Sequence, residues 1–289
     1  MKAIETNNLT KFYGKARGIT DVTLSVDEGD FFGFIGPNGA GKSTLIRTLL
    51  GLISKTSGEA KIFGLDTQKQ KTEILKNVGY LPSEAVFYSG MRVSELISFS
   101  AGLRGIKCGE NAKKLCKRLD LDTSRRINEL SLGNRKKVGI VCAMQHNPSL
   151  YILDEPTSGL DPLMQHEVYS LLLEKCNEGA TVFLSSHVLS EIGRYCKHAA
   201  VIREGRILAC DSVSNLSHTD AKRVTLGGVS EIDMPEARDI KYENGNVSFL
   251  YGGDVKELIK SLGSIDFNDI TVENPELDEI FLHFYKEGE

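Results

Sequence analysis

Nine residues, "GPNGAGKST" at Gly36–Thr44, carry the spacing G-x-x-x-x-G-K-[ST]. Gly36, Gly39 and Gly41, with Pro37, Asn38 and Ala40 between them, let the backbone curl so that its N–H groups surround phosphate oxygens. Lys42 supplies a positive charge to the outer phosphates, Ser43 offers a hydroxyl to Mg²⁺, and Thr44 continues into the helix whose N-terminus favours anions. A second stretch, "LYILDEP" at Leu150–Pro156, is an apolar run ending in two adjacent carboxylates. Asp154 can hold Mg²⁺ through water, while Glu155 can orient or deprotonate an attacking water. Either stretch alone is weak, because tight glycine turns and acid-ended strands are common. Together they describe phosphoryl-transfer chemistry.

The elements that must position these groups follow from hydrophobic patterning. Val22, Leu24 and Val26 alternate with polar residues, as expected of antiparallel strands with one solvated side. "FFGFIG" is a continuous apolar run of the kind that fills a strand buried on both faces, and "STLIRTLLGL" follows it with helical spacing. Residues 88–146 read as mostly helical, and strand-like runs return at "LYILD", "TVFLSS" and "AAVIREGRILAC". Strands alternating with helices predict an α/β core, a mainly parallel sheet in residues 1–216 with an antiparallel β-subdomain at its start. Residues 217–289 read as a small α+β domain: Asn244-Gly245 marks a hairpin, "VKELIKSL" a helix, "IDFNDITV" a strand and "ELDEIFLHFY" a final helix.

The chain has 289 residues, of which 40% are hydrophobic and 26% charged, enough for one large domain and a small one. A formal net charge of −4 argues against a nucleic-acid partner. Six cysteines show no metal-ligand spacing. No apolar run approaches the ~18 residues of a membrane span. The opening "MKAIETNNLT" lacks a secretory pattern, so the chain is expected in the cytoplasm.

Several further motifs, in order, resemble the ATP-binding subunit of an ABC transporter, a P-loop NTPase of ABC type; the match covers about the first 215 residues. Tyr13 in "KFYG" falls where that family stacks a ring on adenine. "LSLGN", Leu130, Ser131, Leu132, Gly133 and Asn134, stands at the signature that faces the phosphate loop of a second subunit. "SGLD", Ser158, Gly159, Leu160 and Asp161, matches the loop that crosses the subunit boundary, and His187 in "LSSH" matches the switch histidine. The resemblance implies ATP and Mg²⁺ as cofactors, Glu155, His187 and Lys42 as catalytic residues, and Ser43 with Asp154 as the metal site. It also implies an exporter-type subunit that drives a separate six-helix permease from the cytoplasmic face of the membrane. A second copy, or a paralogous subunit, would complete the dimer. Two rivals share the site: a soluble ATPase of this type acting on ribosomes or DNA, and a nucleotide-sensing regulatory subunit.

The chain departs from the family at the signature, where a leucine and an asparagine replace glycine and glutamine. Ser131, Gly133 and a helix beginning near Asn134 still provide a hydroxyl, close backbone approach and a helix N-terminus. Leu132 fits provided its φ is negative. Arg135, Lys136 and Lys137 would put three cations in that helix's first turn, where the macrodipole disfavours them; they form either a solvated basic face or a group whose cost is offset by phosphate across the interface or by nearby acids. In "GYLPSE", Ser83 stands where the family usually has glutamine, followed by Glu84; either a water or Glu84 makes up the missing reach. Val86, Phe87 and Tyr88 belong either to a docking surface for a permease helix or to the chain's own core. The small C-terminal domain is expected to dimerise or regulate.

Overall fold

Alternation in the first residues produces two long antiparallel strands, β1 (Lys2–Tyr13) and β2 (Ala16–Asp27), with Val22, Leu24 and Val26 buried and the residues between them exposed. The computed structural model describes residues 1–14, 16–88, 90–216 and 221–275. It divides into two compact units, Met1–Leu216 and Ser217–Glu289.

In the first unit, β3 (Phe31–Ile35) is buried at every position and feeds through the glycine loop into α1 (Lys42–Leu49). β4 (Ser57–Ile62) and β5 (Leu65–Asp66) extend the first two strands into an antiparallel sheet of order β2-β1-β4-β5. After α2 (Lys71–Lys76), β6 (Val78–Leu81) returns to the central sheet. Three helices follow: α3 (Val93–Leu103), α4 (Gly109–Arg118) and α5 (Leu132–Met144). Then come β7 (Leu150–Asp154), α6 (Pro162–Asn177), β8 (Thr181–Ser186), α7 (Leu189–Tyr195), β9 (His198–Arg203), β10 (Arg206–Ser212) and the short α8 (Val213–Leu216).

The central sheet has the order β10-β9-β3-β8-β7-β6. Its five strands from β9 to β6 are parallel and buried on both faces, which accounts for their unbroken apolar runs. Phe183 on β8 stacks against Phe32 on β3 at 5.8 Å, so truncating either ring would cost roughly 3–5 kcal/mol. "AAVIREGRILAC" is not one strand of this parallel set. Glu204 and Gly205 both adopt positive φ and reverse the chain, so β10 runs antiparallel to β9. The parallel arrangement brings the C-terminal ends of β3, β7 and β8 to one edge, where the phosphate loop, the two carboxylates and His187 all emerge.

The second unit contains β11 (Lys222–Gly227), β12 (Ala237–Glu243), β13 (Asn246–Tyr251), α9 (Val255–Leu262) and β14 (Asp269–Glu273). Its antiparallel sheet has the order β12-β13-β11-β14, and Leu258 and Leu262 of α9 join Val224, Val247 and Phe249 in its core. Asn244 (φ 52°) and Gly245 (φ 78°) make the expected hairpin turn. The expected final helix at "ELDEIFLHFY" lies outside the described residues.

Candidate functional site: a phosphate loop, two carboxylates and an exposed signature

The loop leaves β3 at Gly36, where a Cβ would meet the Ile202 carbonyl oxygen at 2.4 Å, so the position admits only glycine without displacement. Gly39 (φ 79°) and Gly41 (φ 109°) then supply left-handed turns. Helix α1 begins after Gly41 without a side-chain cap. Its first N–H groups therefore point, unanswered by any side chain, into a cavity of about 280 Å³. Pro37, Asn38, Gly39, Gly41, Lys42, Ser43, Thr44, Ser83, Asp154 and Glu155 line that cavity, with Gly18 at its rim. Ala40 is buried and holds the loop to Gly205 through a backbone hydrogen bond.

Lys42 is buried, and its Nζ donates to the carbonyls of Gly36 (2.6 Å) and Pro37 (3.2 Å) while lying 3.8 Å from Glu155 Oε1. Burial lowers the pKa of this ammonium, and the facing carboxylates of Glu155 and Asp154 oppose that shift. Ser43 Oγ donates to Asp154 Oδ2 at 2.7 Å. The Ser185 hydroxyl donates to the other Asp154 oxygen. A buried carboxylate held by two hydroxyls beside a phosphate loop is an all-oxygen donor set, which suits Mg²⁺ completed by phosphate oxygens and water.

Glu155 sits at φ 50°, a conformation that costs a non-glycine residue and is found at functional sites. Its N–H donates to the Ser185 carbonyl at 3.1 Å, which keeps it there. His187 Nδ1 lies 3.0 Å from Glu155 Oε1, so a proton on Nδ1 would donate to the carboxylate and leave Nε2 as the acceptor. Sequence reasoning missed Glu191. Its carboxylate accepts hydrogen bonds at 2.8 Å from Thr157, just before Ser158, and at 2.8 Å from Ser186, just before His187. The run of hydroxyls in "LSSH" and "PTS" was the available signal.

Tyr13 ends β1 half-exposed, its ring edge lies beside Gly18 at the cavity rim, and the Lys11 ammonium stands over the ring at 5.2 Å from its centre. The signature lies apart from this cavity. Leu130 is buried, Ser131 is exposed, and Ser131 Oγ caps α5 by accepting the Asn134 N–H at 3.3 Å. The helix thus starts at Leu132, two residues before the expected Asn134. Arg135 closes its first turn, and Lys136 and Lys137 fall in the second, so the expected three-cation first turn is not formed. Leu132 does not take positive φ and is 61% exposed. Gly133 packs on the boundary loop: a Cβ there would stand 2.7 Å from the Gly159 carbonyl oxygen. Ser158 and Gly159 are exposed, Leu160 is buried, and Asp161 caps α6 by accepting the Met164 N–H at 3.0 Å.

Lys136 and Lys137 are buried rather than solvated. Lys136 Nζ donates to the Ser83 carbonyl at 2.7 Å, and Arg135 donates to the Leu130 carbonyl at 3.0 Å. A second cavity, about 580 Å³, runs between the segment after Pro82 and the start of α5, with Ser83, Glu84, Val86, Phe87, Leu132 and Lys136 among its walls. Glu84 is exposed, and Val86 and Tyr88 are 88% and 67% exposed, whereas Phe87 is half-buried against the Gly139 face of α5. The three apolar residues are therefore divided between surface and core. No helix among the described residues is long and apolar enough to cross a membrane.

The pattern of the ABC transporter family matches residues 19–158. The bacitracin transport ATP-binding protein of Bacillus licheniformis is 39% identical over 211 residues, 71% of this chain and 68% of that protein. The linearmycin resistance ATP-binding protein of Bacillus subtilis is 29% identical over 250 residues, 83% of this chain and 80% of the relative. A solved ATP-binding subunit of an ABC transporter is 32% identical with a TM-score of 0.70, covering 74% of this chain and 91% of that one. A bacterial ABC transporter cassette solved as a dimer is 25% identical with a TM-score of 0.67, covering 73% of this chain and 98% of its own. The chain therefore belongs to the ATP-binding subunits of the ABC transporter family and is an ATPase.

Proposed function

We propose that the chain powers export through a separate membrane permease, working as a dimer in which each ATP lies between one subunit's phosphate loop and the other's signature. The observation that carries this reading is the continuous set of contacts Ser43–Asp154 and Lys42–Glu155–His187 around one loop, with Ser131 and Gly159 exposed elsewhere. Loop amides and Lys42 hold the phosphates, and Tyr13 stacks on the base. Glu155 accepts a proton from water as the water oxygen bonds to the γ-phosphorus and the bond to the bridging oxygen breaks. His187 holds the Glu155 carboxylate in place during this transfer and senses the γ-phosphate. Ser43 and Asp154 would hold Mg²⁺, which neutralises charge on the phosphates when bound. Most of the rate then comes from positioning and charge stabilisation.

The second copy of the chain supplies the signature Leu130–Asn134 and the loop Ser158–Asp161. The permease helix docks in the groove beside Ser83 and Glu84, where exposed Val86 and Tyr88 offer apolar surface. The chain then sits on the cytoplasmic face of the membrane, held there by the permease. Names of its relatives point to antibiotic-like cargo, with selectivity residing in the permease. The second unit, Ser217–Glu289, contributes to dimerisation or regulation. Purification of the tagged chain from detergent-solubilised membranes tests the reading: a polytopic partner with six membrane spans should come with it. Its recovery without one, in cells where deleting its gene leaves drug efflux unchanged, would contradict it.

A further inference from the structure

We infer that Lys136 is a positioning residue for ATP hydrolysis, pinning the Ser83 backbone to the signature helix in place of the side-chain reach that serine lacks. The inference rests on the functional reading above and concerns how its site is held together.

A buried ammonium is costly, and a residue of methionine shape would fill the same space without that cost. Lys136 is nevertheless only 4% exposed, and its Nζ donates to a backbone carbonyl, that of Ser83 at 2.7 Å. Ser83 lines both cavities, the one at the phosphate loop and the groove beside Val86. Lys136 therefore connects α5, whose first residues face a partner's nucleotide, with the segment that borders this chain's own nucleotide. Burial lowers the pKa of this ammonium, and the carboxylates of Asp154, Glu155 and Glu84 oppose that shift, so the side chain stands in the field of the two site acids. Serine at position 83 has one hydroxyl and no length to bridge this distance itself. The tie is made instead from the helix, by a cation long enough to reach the main chain.

The test uses the full chain with Lys136→Met and Lys136→Arg, and the double variant Ser83→Gln/Lys136→Met. Four quantities are read: kcat and KM for ATP, affinity for a fluorescent ATP analogue in EDTA, and the melting midpoint. Lys136→Met should lower kcat at least tenfold while analogue affinity stays within twofold and the melting midpoint is kept. Lys136→Arg should retain most of the activity, and glutamine at position 83 should restore part of what the methionine variant loses. Wild-type kcat in Lys136→Met would overturn the inference. So would a parallel loss of kcat, affinity and melting midpoint, which marks a merely structural residue, or an arginine variant as impaired as the methionine one. A wild-type chain that failed to hydrolyse ATP would instead remove the functional reading.

Discussion

Helices α1 and α5 begin at the phosphate loop and at the signature, the two parts of the proposed ATP site, and they begin in opposite ways. α1 follows a left-handed glycine with no side-chain cap, so its amides are left for a ligand. Around it Lys42 and Asp154 are nearly buried and already bonded within the chain. α5 is capped by Ser131, whose Oγ accepts the Asn134 N–H and keeps its own proton to donate. Around that start Ser131, Leu132, Ser158 and Gly159 are exposed. The first group is bonded together within one chain around an open cavity; the second is an exposed surface, which in the proposed dimer acts on the other chain.

Variants of the two halves should separate accordingly. Lys42→Ala removes a charge-assisted contact from the cis half, so ATP affinity should fall about 10- to 100-fold by equilibrium titration. Retained affinity would mean that the loop amides alone bind the phosphates. Gly133→Asp should damage the open half twice. Its Cβ collides with the Gly159 carbonyl, an overpacking cost of about 1–3 kcal/mol, and its carboxylate repels phosphate. The melting midpoint should drop and steady-state ATPase should be lost, while ATP affinity of the monomer survives.

Leu132→Gly should be mild, because that side chain is mostly exposed and glycine at a helix start costs under about 1 kcal/mol. Equal ATPase loss in the Leu132 and Gly133 variants would show that the signature is oriented otherwise. A different kind of effect, on stability rather than turnover, lies just past the far end of α5. Burial and the nearby Arg104 charge lower the pKa of His146 to about 4. The unfolded chain binds this proton near pH 6.5 and the folded chain does not, so stability is full above about 6.5 and declines as pH falls towards 4. His146→Gln should flatten that part of a stability-against-pH curve by about 1–3 kcal/mol.

The cis half was legible in the sequence because its chemistry is local: Gly36–Thr44 and Asp154–Glu155 are contiguous, and unbroken apolar runs announce the strands that carry them. The tasks of Ser131 and Gly133 rest instead on the family resemblance of "LSLGN". Lys136 could not be placed, since a lysine on a helix reads as solvated until Ser83, 53 positions away in sequence, is known to lie beneath it. Glu191 was hidden likewise, its two hydroxyl partners lying on different strand ends. Positive φ at Glu155 left no trace at all in residue type.

In the proposed dimer the exposed signature closes over the ATP held by another chain, so a variant that binds ATP without hydrolysing it should trap two chains together. Glu155→Gln keeps the side chain's size and its place beside His187 but removes the base, so hydrolysis should slow by about 10²- to 10⁴-fold. In sedimentation with ATP, that variant should shift from one chain to a stable two-chain species, and adding Ser131→Arg should abolish the shift. A Glu155→Gln chain that stays single with ATP while turning it over at the wild-type rate would contradict the claim.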